Sequence, residues 1–257
     1  MRSRLVRPSA IALLVVSASA LTGCAAFDPG PVVTQNREMT DVAAVELDTS
    51  GDLTVTLGTT PSLTVTAGER VIDSLTADVV DGVLQLGMEG EPMLRNGQIR
   101  YELTVSSLES LIVLGSGDAS IDLSAATAPA VTVRGSGDVD VTGIDAATAV
   151  FRIDGAGEIV VHDVTIDELT VRIDGSGGVE IDGTAHRQDI AINGAGSYAA
   201  EALRSVDALV SIRGSGSADV SADGDLAIII DGSGDVTYAG DARVAQDISG
   251  SGDITRR

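Results

Sequence analysis

The chain has 257 residues, 44% of them hydrophobic, but only 2% aromatic and no tryptophan. Thirty-eight acidic side chains stand against 16 basic ones, every one an arginine, for a net charge of −22. So anionic a surface repels phosphate backbones and anionic lipid, which argues against nucleic acid as a partner; a single cysteine excludes a disulfide framework.

The N-terminus reads as an export signal. Arg2, Arg4 and Arg7 precede an apolar stretch over residues 11–21 that is too short for an ordinary membrane span. The stretch closes on Leu21-Thr22-Gly23-Cys24, which resembles the lipobox of bacterial lipoproteins. That resemblance implies cleavage before Cys24, with residues 1–23 removed and lipid on the Cys24 thiol and amino group. The expected location is the bacterial cell envelope, outside the cytoplasmic membrane and anchored by that lipid. Residues 24–41, with Pro29-Gly30-Pro31, then serve as anchor and flexible tether.

Folded structure is expected from Val42 to the end, in two parts. Over 42–110 the pattern is irregular: strand candidates lie at 45–55, 63–66, 74–80, 82–87 and 99–105, with turns at Asp81-Gly82 and Asn96-Gly97 and a loop over 89–96. The 45–55 segment looks like a degenerate copy of the repeat that fills the rest of the chain. An irregular first section suits the end cap of a repeat array.

From 111 to 257 the chain repeats. A Gly-small-Gly triplet recurs with its first glycine at Gly115, Gly135, Gly155, Gly175, Gly194, Gly214, Gly232 and Gly250. Two residues earlier stand Val113, Val133, Ile153, Ile173, Ile192, Ile212, Ile230 and Ile248, all β-branched. Four residues before the triplet the column is apolar until Gln246 breaks it. Alternation resumes after the triplet with Ala119, Val139, Ile159, Val179 and their equivalents. Each repeat therefore offers two half-buried strands joined at a glycine corner. Like columns stack on like in a parallel β-helix with coils of about 20 residues, and that all-β solenoid is the expected fold. The alternative is an antiparallel meander or sandwich in which each Gly-Ser-Gly is a hairpin turn. The last repeat stops at Arg256-Arg257, and the charged tail is expected to shield the final strand edge.

Acidic residues gather at the corners. Asp118, Asp138, Glu158 and Asp235 follow the triplet, and Asp154 and Asp174 precede it. Stacked like charges repel, and calcium, which prefers several oxygen ligands, would relieve that repulsion; it is the one cofactor the sequence suggests. The plainer reading is a solvated acidic turn in which Asp bonds local backbone. Arg134, Arg152, Arg172 and Arg213 lie near Asp154 and Asp174 on outward strand positions and form a candidate binding surface. Carboxylate pairs can hydrolyse polysaccharides, but Arg alternating with Asp across strands is ordinarily an ion-pair network. His162 and His186 fall at different offsets in their repeats and would not stack. No zinc spacing and no serine elbow appears, so no enzyme is expected.

The lipobox, Gly51-Asp52-Leu53-Thr54-Val55-Thr56, Asp81-Gly82-Val83-Leu84-Gln85-Leu86 and the serial Gly-Ser-Gly-Asp motifs together resemble the autotransporter adhesin head, GIN-domain family, over about residues 42–257. The resemblance implies a β-helix-like solenoid on the bacterial surface with an adhesive role, and it brings no catalytic residues. The partner expected is cell-wall glycan or a surface protein. The competing expectation is a structural or envelope-homeostasis module, stiffened by calcium and binding only protein.

Overall fold

The computed structural model describes residues 28–90 and 97–257. Cys24, the signal segment and most of the loop expected over 89–96 lie outside the described residues.

The strands follow the period-two pattern. In chain order they are β1 (Val32–Arg37), β2 (Ala44–Leu47), β3 (Asp52–Leu57), β4 (Ser62–Gly68), β5 (Leu75–Val80), β6 (Val83–Met88), β7 (Arg100–Val105), β8 (Ser110–Val113), β9 (Ala119–Asp122) and β10 (Ala130–Val133). Then come β11 (Val139–Ile153), β12 (Glu158–Gly175), β13 (Gly178–Gly194), β14 (Ser197–Gly214), β15 (Ser217–Ala222), β16 (Asp225–Gly232), β17 (Asp235–Ala239), β18 (Arg243–Gly250) and β19 (Asp253–Arg256). One 3-10 turn, Ile72–Ser74, interrupts them. The long strands β11 to β14 each run from the second half of one coil into the first half of the next.

Pairing between repeats is parallel, which settles the fold as a β-solenoid and removes the meander for this region. Val133 pairs with Ile153, Ile153 with Ile173, Ile173 with Ile192, Ile192 with Ile212, Ile212 with Ile230, and Ile230 with Ile248. Every side chain of this column from Val113 to Ile230 is buried. Two parallel sheets result. The front sheet carries the strand before each corner and the back sheet the strand after it, with branched apolar side chains filling the space between. Because that space is thin, three aromatic rings (Tyr101, Phe151 and Tyr198) suffice as its largest fillers.

The hydrogen-bond ladder passes through the corner without a break. Ser136 N–H donates to Gly115 O at 3.2 Å, and Ala156 N–H to Gly135 O at 3.2 Å. The middle coils gain a third side, where Ile144 pairs with Val164, Val164 with Gly183, and Gly183 with Leu203. Register slips between Val161 and Val164, and again between Glu180 and Gly183, mark where it begins.

Two ends differ from expectation. The 45–55 segment is a coil, as its pattern implies, but its place in the stack is not its place in the chain. Strand β2 lies between β6 and β8, and β3 between β7 and β9, so the intervening chain drops below this coil before returning above it. That end is closed by antiparallel strands: β5 on β6, β4 on β7 and β1 on β4. Residues 32–37, expected as tether, are therefore a strand. Their backbone pairs antiparallel along the free edge of β4, and Thr34 bonds Thr66 across it at 3.0 Å. At the other end the tail does not shield the last coil. Arg257 reaches back to Glu201 and Asp219, and Arg256 to Asp241, while Val244 and Ile248 remain 37% and 38% exposed.

Candidate functional site: two unlike outer faces

Outward positions of the back sheet carry the acid column. Asp118, Asp138 and Glu158 stack on successive coils, and with Asp52 and Asp140 they line an open hollow of about 470 Å³. Repulsion along the column is offset by backbone. Asp138 N–H donates to Asp118 Oδ1 at 2.9 Å, and Glu158 N–H to Asp138 Oδ1 at 2.9 Å. Asp253 N–H likewise donates to Asp235 Oδ1 at 3.0 Å, far along the stack from those three. Aspartate at this position therefore links one coil to the next, accepting from backbone 18 to 20 residues further along the chain and not from its own turn. The six residues expected to share calcium are split among three places. Among the described residues no three His, Cys, Asp or Glu side chains gather as a metal set.

Asp154 and Asp174 belong to the front sheet and to an ion-pair ladder. Arg152 Nε donates to Asp154 Oδ2 at 2.8 Å, and its terminal nitrogen donates to Asp174 Oδ2 at 2.9 Å. Asn193 Nδ2 extends the ladder, donating to Asp174 Oδ1 at 2.7 Å. Arg134 Nε stands 3.9 Å from Asp154 on the other side. The hydrogen bond from Arg152 holds the Asp154 carboxyl below the usual aspartate range, against a smaller opposing effect of burial, and the same bond raises the Arg152 guanidinium. Arg172 sits in register with Arg152 on the next strand, and Arg213 in register with Asn193. Both are exposed, and neither is in an ion pair among the described residues.

The structure thus brings Arg134, Arg152, Arg172 and Arg213 onto one outer face. Val150 and Ile229, 43% and 45% exposed, lie on the same face. The two sides of the solenoid differ in chemistry: the back is lined by carboxylates, while the front interleaves guanidinium groups with Asp154, Asp174 and Asp231 and adds branched apolar groups.

Sequence reasoning missed one cluster. His162 Nδ1 is 3.0 Å from Asp182 Oδ2, and its Nε2 is 3.8 Å from Asp140 Oδ2. Comparing the two histidines with each other hid it; the 20-residue step from His162 to Asp182 was the available signal. It also missed a buried polar chain inside the solenoid. Tyr198 donates its hydroxyl to Gln188 Oε1 at 2.9 Å, and Gln188 Nε2 donates to Ser205 Oγ at 2.8 Å. Ser205 in turn donates to Ser221 O at 2.7 Å.

Comparison with known proteins agrees with this architecture. A crystal structure from Parabacteroides distasonis titled a putative lipid binding protein superposes with TM-score 0.76 at 24% identity, covering 89% of this chain and 97% of that one. A putative adhesin from Parabacteroides merdae gives 0.78 at 21% identity over 89% and 97%. Another from Parabacteroides distasonis gives 0.79 at 21% over 89% and 98%. At these identities the likeness is one of fold. No curated protein matches the chain. Residues 42–242 match the family described as "Putative auto-transporter adhesin, head GIN domain", and the chain belongs to that family.

Proposed function

We propose that this adhesin-like surface protein is a lipid-anchored, non-catalytic module that binds cell-wall glycan or another surface protein through the outer face of its front sheet. Family membership supports the adhesin-like character and a surface location. The observation that carries the choice of face is the gathering of Arg134, Arg152, Arg172 and Arg213 beside exposed Val150 and Ile229 on a protein whose opposite face is carboxylate. Interfaces favour arginine and apolar contact, and Asp154 and Asp174 on this face are already engaged by Arg152. Anchoring rests on Cys24 and its lipobox-like setting in the sequence.

The test is pull-down of soluble residues 25–257 on purified cell walls, immobilised glycans and envelope protein fractions, with calcium and with chelator. Saturable capture that charge reversal on the front face removes supports the reading. A folded chain that binds none of these surfaces in either condition overturns it. Loss of capture in chelator alone would make calcium a requirement of binding.

A further inference from the structure

His162 stands between two carboxylates that belong to the coils on either side of its own: Asp182 on β13, 3.0 Å from Nδ1, and Asp140 on β11, 3.8 Å from Nε2. The other oxygen of Asp182 accepts the backbone N–H of Asp163 at 3.1 Å. Asp163 holds φ at 56°, a left-handed conformation that aspartate tolerates and most residues avoid. Strand pairing slips at this point, between Val161 and Val164. The cluster therefore spans a bulge, where the coil-to-coil ladder is interrupted and the third side of the solenoid begins. Side chains take over the linking of coils there.

We propose that His162 is a proton-operated staple across three coils. A neutral imidazole has one N–H. Placed on Nδ1, it donates to Asp182 and leaves an Nε2 lone pair facing the Asp140 carboxylate, which is repulsive. Protonation turns Nε2 into a donor, so the arm to Asp140 forms and β11, β12 and β13 are joined through one ring. One arm persists at neutral and alkaline pH; the other exists only in the charged state.

The surroundings favour the charged ring. From β11 it faces Asp140, with Thr142 in the paired position; from β13 it faces Asp182, with Glu180 two residues away. Its own neighbour is Asp163. The hydrogen bond to Asp182 raises the imidazole above its ordinary value, outweighing its loss of hydration, and the charges of Asp140, Asp182 and Asp163 add to the rise. Asp182 is held low by the Asp163 N–H first and by His162 second. Beyond Asp182 lies an open hollow of about 680 Å³, lined also by Thr184 of the same strand and by Glu201 and Arg204 of β14. A group whose folded value is raised contributes stability that is complete below its unfolded value and is lost as pH rises through the folded one. The bulge and the rim of this hollow are thus tighter in mildly acidic surroundings and looser in alkaline ones.

The experiment is a proton-NMR titration of the His162 ring in the full chain and in its D140N and D182N variants, with exposed His186 as internal marker. Exchange of the Asp163 amide, corrected for its intrinsic rate, is followed across the same range. The midpoint of His162 is expected to fall in each variant. Protection of the Asp163 amide should drop about two- to five-fold as pH rises through that midpoint, the range an exposed ion pair supplies, and should drop less in D140N, where only the Asp182 arm remains. A midpoint that D140N does not move overturns the staple. So does an Asp163 amide whose protection keeps its full pH dependence in D140N.

Discussion

Gly135 lies so close above Gly115 that a Cβ on Gly135 would overlap the Gly115 carbonyl oxygen. That oxygen is not incidental, since it accepts the Ser136 N–H and carries the ladder around the corner. A side chain here would either break the ladder or push the coils apart, so glycine is required by approach and not only by conformation. Gly82 offers the contrast. It has φ +83 with nothing within 4 Å of an added Cβ. Gly135→Ala is expected to destabilise by about 3 kcal/mol, the upper end of the range for forced overlap in a packed interior. Gly82→Ala should cost only about 1 kcal/mol for its left-handed backbone. Thermal melts of the two variants compare them directly, and equal losses would show that conformation alone explains the corner.

The inward column makes a second, independent prediction. Ile153 is fully buried, whereas Ile229 on the outward side of the front sheet is 45% exposed. Ile153→Ala should cost about 2–5 kcal/mol through lost burial and the cavity left behind. Ile229→Ala should remain within about 0.5 kcal/mol. Denaturant unfolding reads both, and a similar loss for the two would mean that the column is not what stacks the coils.

How much of this was legible beforehand depends on whether a feature repeats. The Val133–Ile153–Ile173 column and the glycine corners recur at a fixed step, and the structure stacks them in that step because like side chains and continuous backbone bonds fit only in register. The coil of β2 and β3 was visible in Gly51-Asp52-Leu53-Thr54-Val55, but its insertion between β8–β9 and β6–β7 was not, since chain order says nothing of a return path. Strand β1 hid behind Pro29 and Pro31, because its partner edge exists only once β4 is folded. The roles of Asp118 and Asp154, one on the back sheet and one on the front, could not be separated by residue type alone. Their distances from the corner place them on opposite faces, and that becomes plain only when the corner itself is seen.

The polar chain inside the solenoid should behave as a unit. Replacing Gln188 by Leu leaves the Tyr198 hydroxyl without its acceptor and Ser205 without one of its donors, all buried. Gln188→Leu is expected to cost about 1–3 kcal/mol from the stranded groups. Tyr198→Phe in the same chain should cost markedly less than it does alone, a coupling of about 0.5–3 kcal/mol. Burial also pushes the Tyr198 phenol far above the ordinary tyrosine range. An alkaline absorbance titration should therefore find Tyr198 ionising only as the chain unfolds, with buried Tyr101 also raised by its loss of hydration. Strict additivity of the two substitutions would show that the network carries no shared energy.

Acid should weaken the front-sheet ladder. Asp154 is depressed in the folded state, chiefly by the Arg152 hydrogen bond. A depressed carboxyl contributes stability that is complete above its unfolded value, near 4, and lost as pH falls through the folded one. Because the Arg152 side chain is 38% exposed and Asp154 27%, the pair is worth no more than about 1 kcal/mol. Arg152→Gln should lower stability at pH 7 by about that amount and narrow its difference from the native chain below pH 3. A gap that stays constant from pH 7 to pH 2 would remove Asp154 from the account.

Reversing charge on the front face should separate binding from stability. Arg172 and Arg213 are front-face cations free of ion pairs among the described residues, so replacing them breaks no bond that holds the coils together. The double variant Arg172→Glu and Arg213→Glu should keep the native melting temperature within a few degrees, since surface changes away from packed features cost about 0.5 kcal/mol or less each. Its capture by the wall, glycan or protein surface should fall about tenfold or more, with the remaining binding less sensitive to salt, because an arginine at the centre of an interface carries over 1 kcal/mol. Glu180→Arg, exposed on the back sheet, is the control: it too reverses a charge, with the opposite sign, but on the other side of the solenoid. If net charge governed capture, the control would strengthen binding in proportion to its single reversal. If the front face governs, the control leaves binding where it was. Equal binding by native chain and double variant would move the interface off the front sheet.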